Sequence, residues 1–113
     1  MVEEKKCTQC GFCKYSCPVF NVLLNEKYSP RGKMINIKDL DEVAYYCTLC
    51  KACENECPIK LEVPEKIREE RKAIVEKGKE TESNKTMIEN VRKYGNPFGE
   101  VEKGKKPKDL YCC

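Results

Sequence analysis

Cys7-Thr8-Gln9-Cys10-Gly11-Phe12-Cys13-Lys14-Tyr15-Ser16-Cys17-Pro18 returns forty residues later as Cys47-Thr48-Leu49-Cys50-Lys51-Ala52-Cys53-Glu54-Asn55-Glu56-Cys57-Pro58. Every cysteine, both threonines and both prolines coincide between the copies. Each copy reads C-x2-C-x2-C-x3-C-P, the bacterial iron–sulfur run, and two copies imply two [4Fe–4S] clusters. The spacing has a physical reason. A thiolate at every third residue of a short loop can wrap three iron corners of a cube, while intervening backbone N–H groups offset the negative charge of the sulfurs. Gly11 allows the backbone to approach closely in the first loop. The proline after each fourth cysteine biases that cysteine toward extended backbone, away from the cube of its own loop.

In two-cluster proteins the fourth cysteine serves the other cube. The expected ligand sets are therefore Cys7, Cys10, Cys13 and Cys57 for one cluster, and Cys47, Cys50, Cys53 and Cys17 for the second. Interlocking of this kind makes cluster assembly part of folding. Structural zinc is the obvious rival for paired C-x2-C spacings, but zinc sites usually part their two pairs with a longer loop. A disulfide framework fits less well still.

Composition agrees that something bound supplies stability. Leu, Ile, Val and Phe total 23 of 113 residues and 36% of the chain is charged, so the aliphatic core is thin. Cysteine contributes 10 residues, a density at which bound metal can carry folding. Histidine is absent. That excludes Ser-His-Asp and Cys-His catalysis, two-histidine zinc fingers, Rieske centres and His-ligated haem. The start of the chain has no apolar h-region, and the longest apolar runs are far short of a membrane span. The expected setting is the cytoplasm, where clustered thiols bind metal more often than they pair. The net charge of +3 arises in the second half and is weaker than a nucleic-acid binder usually shows.

Around the cysteine runs the pattern is helical, predicting an all-α protein. Pro18 opens a helix to Leu24, and Ser29-Pro30 caps and starts another segment carrying Met34, Ile35 and Ile37. Asp39 with Glu42 reads as a capping box for a helix bearing Leu40, Val43, Ala44 and Cys47. Further helices are expected from Pro64 to Lys77, ended by Gly78, and from Asn84 to Tyr94, closed by Gly95 and Pro97. The expected organisation is a two-cluster core over 1–78, a helical extension packing on it over 79–98, and a Lys-rich, mobile tail over 99–113.

These features resemble a known family. Two such runs joined by a helical linker with Ser29-Pro30-Arg31-Gly32, followed later by Asn96-Pro97-Phe98-Gly99, are similar to the α-helical ferredoxin domain. Two iron–sulfur subunits of heterodisulfide reductase, one of them through its amino-terminal part, resemble the chain most. The iron–sulfur subunits of glycolate and lactate oxidation complexes are similar too. The likeness covers roughly residues 5–100. It implies cubes packed between short helices and an electron conduit serving a catalytic subunit, either a flavin protein or one with a Cys-Cys-Gly domain. Larger members continue into such cysteine-rich domains. Here the sequence ends Leu110-Tyr111-Cys112-Cys113, without the glycine, which places catalysis on another polypeptide. Cys112 and Cys113 read either as a redox or partner-contacting pair or as an inert tail. Their direct disulfide would be strained, because adjacent Cα atoms sit closer than bridged ones usually do.

Phe12, Tyr15, Tyr45, Tyr46 and Leu49 are candidates for shielding the cubes or for ordinary packing. The loops differ in charge: Gly11-Phe12 and Lys14 in one, Lys51-Ala52 with Glu54 and Glu56 in the other, so unequal potentials are expected without a clear order. The leading functional expectation is an electron-transfer subunit docked through its helical extension and the 103–108 segment. The alternatives are a freely diffusing ferredoxin and a sensor or regulatory module with structural clusters.

Overall fold

The computed structural model describes residues 6–107, and all regular structure among them is helical. The order is α1 (Phe12–Tyr15), α2 (Pro18–Leu23), a 3-10 turn at Glu26–Tyr28, α3 (Pro30–Ile35), 3-10 segments at Ile37–Asp39 and Asp41–Tyr46, α4 (Ala52–Glu56), α5 (Val63–Glu76) and α6 (Glu82–Tyr94). Cys112 and Cys113, with the end of the expected tail, lie outside the described residues. No helix among the described residues is long and apolar enough to cross a membrane.

The helix starts follow from local chemistry. Cys17 is the N-cap of α2: its sulfur accepts from the Phe20 N–H at 3.5 Å, and Pro18 takes the first turn, where a missing N–H costs nothing. Ser29 caps α3, its Oγ accepting from the Gly32 N–H at 2.9 Å while donating to Glu26 Oε1 at 3.0 Å. Gly32 is required for a packing reason. A Cβ there would lie 1.9 Å from the Glu26 carbonyl oxygen, so the Glu26–Tyr28 turn rests directly on the backbone of α3. At the other end, α5 finishes in a Schellman pair, with Lys79 N–H to Ile74 C=O and Gly78 N–H to Val75 C=O.

One expectation fails. The segment before Cys47 is not a capped α-helix: it forms two 3-10 pieces, and neither Asp39 nor any other side chain caps it. Asp41 takes a left-handed φ of 40°, and the Val43 N–H bonds three residues back to Leu40 C=O at 2.8 Å. Packing overrides the local pattern here. Tighter 3-10 winding places Leu40, Val43 and Ala44 together in the interior and releases Cys47 as extended backbone at φ −79°, ψ 127°.

The core is small. Leu40, Val43, Ala44, Leu61, Val63, Ile67 and Ile74 pack around Cys53, joining the 3-10 segments to α5. Each fully buried aliphatic side chain contributes about 1.5–3 kcal/mol. Arg71 of α5 locks that packing in place: Nε and Nη2 donate to the Ala44 carbonyl at 3.0 and 2.9 Å, and the guanidinium lies over the Tyr45 ring. Helix α6, capped by Thr81, buries no residue, and its Val91 and Tyr94 are exposed. After it, Asn96-Pro97-Phe98-Gly99 folds back, with Asn90 Nδ2 donating to the Pro97 carbonyl and Asn96 Nδ2 to the Gly99 carbonyl, each at 3.0 Å.

Candidate cluster-binding site

Two cavities of nearly equal size flank α3. The first, with about 390 Å³ of empty volume, is lined by Cys7, Cys10, Cys13 and Cys57, and the second, about 370 Å³, by Cys17, Cys47, Cys50 and Cys53. The fold thus brings the three leading cysteines of each run together with the fourth cysteine of the other. Cys53, Pro30 and Val63 line both cavities and form the wall between them. The remainder of each lining is largely apolar, including Met34, Ile59 and Leu61 in the first and Val19, Leu49 and Pro64 in the second.

The loops that deliver these thiols are near-copies in backbone as well as sequence. Gln9 and Leu49 are left-handed at φ 60° and 56°, and Gly11 and Lys51 at 84° and 65°. Helices α1 and α4 then begin at Phe12 and Ala52. In each loop the exposed middle cysteine accepts a hydrogen bond from the first amide of the helix that follows. The Phe12 N–H lowers the Cys10 thiol pKa, with the Thr8 hydroxyl adding to it; the Ala52 N–H and Thr48 hydroxyl act likewise on Cys50. In both cases a small burial effect opposes the shift.

The inner thiols behave oppositely. Burial raises the Cys13 thiol, and the neighbouring Cys7 adds to that. Burial, followed by the charge of Cys47, Cys13, Cys50 and Cys17, pushes the Cys53 thiol up to about 12. Four thiols around one cavity cannot all ionise unless a cationic group stands among them, and binding such a group releases the protons. The geometry favours a group larger than a single ion. Tetrahedral zinc needs four donors about 2.3 Å from a point, and among the described residues no three Cys, Asp or Glu side chains converge that closely. Here the sulfurs ring a space, which suits a polynuclear iron–sulfur cube with amide donors at its rim.

Several residues near the site went unread in the sequence. Arg31 Nη1 donates to the Gln9 carbonyl of the first loop at 3.3 Å, and Arg71 Nη2 to the Cys47 carbonyl of the second at 2.5 Å. Each arginine stands 24 residues beyond the first cysteine of the loop it clamps, so the forty-residue repeat offset carried the signal. Lys33 lines the second cavity and Arg31 the first. Of the aromatic candidates, Phe12 and Tyr15 are 64% and 81% exposed and line neither cavity, because α1 turns them outward; Leu49 does line the second.

Comparison with known proteins agrees with this geometry. The chain is 31% identical over 83 residues to the uncharacterized electron transport protein YkgF of Escherichia coli K12, an overlap of 65% of this chain and 18% of that protein. It is 31% identical over 94 residues to lactate utilization protein B of Lysinibacillus sphaericus, covering 74% of this chain and 20% of the relative. With the glycolate oxidase iron–sulfur subunit of Escherichia coli K12 it shares 34% over 64 residues, 48% of this chain and 16% of that subunit. The chain therefore spans about a fifth or less of the length of these curated relatives. Residues 3–61, which contain both cysteine runs and the α3 wall, match the 4Fe-4S dicluster domain, and the chain belongs to that family.

Proposed function

We propose that this chain is an electron-transfer module holding two [4Fe–4S] clusters, one on Cys7, Cys10, Cys13 and Cys57 and the other on Cys47, Cys50, Cys53 and Cys17. The observation that carries this reading is the pairing of cavities with cysteine quartets: each space is ringed by three thiols of one run and the last thiol of the other. Each bound cluster supplies one-electron redox chemistry without proton transfer, which suits a chain lacking histidine. The protein's own residues hold and insulate. Amides at the starts of α1 and α4 bond the outer sulfurs, the apolar linings exclude water, and the Cys53–Pro30–Val63 wall keeps the two sites adjacent.

The module relays single electrons to or from a catalytic oxidoreductase subunit of the heterodisulfide reductase type, a flavin or Cys-Cys-Gly-domain protein, in a reducing cytoplasmic setting. Relatives named as electron-transport and oxidase iron–sulfur proteins support that placement. The 79–98 extension, with its half-open α6, serves as part of the contact to that subunit. The test is iron and acid-labile sulfide on anaerobically purified protein, with low-temperature resonance after reduction. About eight of each per chain and two interacting reduced clusters are expected; zinc without sulfide overturns the assignment.

A further inference from the structure

Two cations leave α3 toward opposite cavities, and their circumstances differ. Arg31 faces the first cavity, but its charge is already engaged: Nε bonds Glu26 Oε1 at 2.7 Å, and Lys14 Nζ meets Glu26 Oε2 at the same distance. That trio is open to solvent, its side chains 22–39% exposed. Lys33 faces the second cavity, is 2% exposed, and has no carboxylate partner among the described residues. A buried ammonium without a counter-charge costs several kcal/mol. No acidic residue lines the second cavity; its anionic candidates are the thiolates of Cys17, Cys47, Cys50 and Cys53. Lys51, exposed at the mouth, adds a second positive charge on the same side, whereas Glu54 and Glu56 of α4 line neither cavity.

We infer that Lys33 is the built-in counter-ion of the second cluster and makes it the higher-potential member of the pair, the site where a transferred electron rests. The inference deepens the two-cluster reading and depends on it. Taking one electron from a one-electron donor carries a four-thiolate [4Fe–4S] site from −2 to −3, with no bond broken and no proton moved. A desolvated ammonium beside that site favours the −3 state more strongly than a solvated, half-neutralised guanidinium does. Electrons entering at the first cluster therefore run downhill past the Cys53 wall to the second.

The experiment is a reductive titration of the full chain followed by electron paramagnetic resonance, with iron content measured on every sample. Wild type should give two midpoints. Cys50→Ser, which alters only the second cluster's ligands, should move the higher one. Lys33→Met should lower that same midpoint by at least a tenfold change in its reduction equilibrium, about 59 mV for one electron, while the other moves less than half as far. Lys33→Arg should restore most of the difference. Where Lys33→Met fails to retain iron, Lys33→Gln and the Cys50→Ser assignment decide the matter. Equal shifts of both midpoints, or a response of the lower midpoint to Cys50→Ser, overturns the inference while leaving the two-cluster reading intact. A wild-type chain without iron overturns that reading, and the inference falls with it.

Discussion

The two cysteine loops share one backbone path but differ in what lies around it. Both place left-handed residues at matching positions, turn once into a short helix, and present the fourth cysteine as extended backbone, Cys17 at φ −82°, ψ 115° and Cys57 at φ −72°, ψ 122°. Beyond the proline they part. Pro18 starts α2 at once, whereas Pro58 enters a turn through Lys60 at φ 51° before α5 begins at Val63. The loop conformation is thus set by the need to aim sulfurs and amides at one volume, and it is kept even where the residue disfavours it. Lys51 adopts the geometry that Gly11 adopts without strain. The surroundings obey a different demand, since each loop is buried by whichever segment reaches it.

The most severe test of this comparison exchanges the roles of the fourth ligands. Cys57→Ser should strip or convert the cluster of the first loop and Cys17→Ser that of the second, each sparing about half the iron, as read by iron content and resonance of the reduced protein. If each substitution instead removed the cluster of its own run, the interlocked arrangement would be wrong. Next comes Gly32→Ala. Its methyl meets the Glu26 carbonyl on the helix between the cavities, so both loops should suffer together, with a loss of about 3 kcal/mol or more in denaturant unfolding. Retention of wild-type stability would show that the Glu26–Tyr28 turn yields easily.

A smaller effect separates the loops directly. Gly11→Lys should destabilise by about 1–2 kcal/mol, the usual cost of left-handed backbone at a residue with a Cβ, whereas Lys51→Gly should be neutral or stabilise by up to about 1 kcal/mol. Opposite signs in thermal unfolding would establish the strain at Lys51; equal losses would show that its side chain does something glycine cannot.

The weakest of these effects concerns the trio beside the first cavity. Burial alone would raise the Glu26 carboxyl, but hydrogen bonds from Lys14, Arg31 and Ser29 outweigh it and lower its pKa from 4.5 to about 2. A depressed carboxylate pKa stabilises the fold fully above about pH 5, and the benefit fades as pH falls from about 4.5 to 2. Comparing wild type with Glu26→Gln in urea at stepped pH should show an advantage under about 1 kcal/mol at neutral pH, as expected for a solvent-screened pair, shrinking on acidification. A difference constant across that range would assign the effect to packing.

The legible parts of the molecule are those whose causes lie close in sequence. The Ser29 cap, the proline starts, the Gly95 stop of α6 and the cysteine runs all depend on residues within a turn or two of one another, and each stands where the local pattern puts it. The segment before Cys47 did not follow its pattern. Asp39 and Glu42 read as a capping box, but burying Leu40, Val43 and Ala44 against α5 stabilises more than one cap hydrogen bond does, and the chain winds into 3-10 turns instead. Phe12 and Tyr15 looked like shields because they neighbour cysteines, yet the one-turn helix that aims Cys13 inward turns them out.

Cofactor class could be read from the order of residues alone, because a repeated C-x2-C-x2-C-x3-C-P is a local geometric statement about sulfur spacing and proline-directed backbone. The electrostatic inequality of the two sites could not. Arg31 and Lys33 are two residues apart and equally basic on paper. Burial of one, and the presence of Glu26 beside the other, depend on α3 being wedged between cavities built from segments forty residues apart. No local pattern encodes which face of that helix is sealed from water.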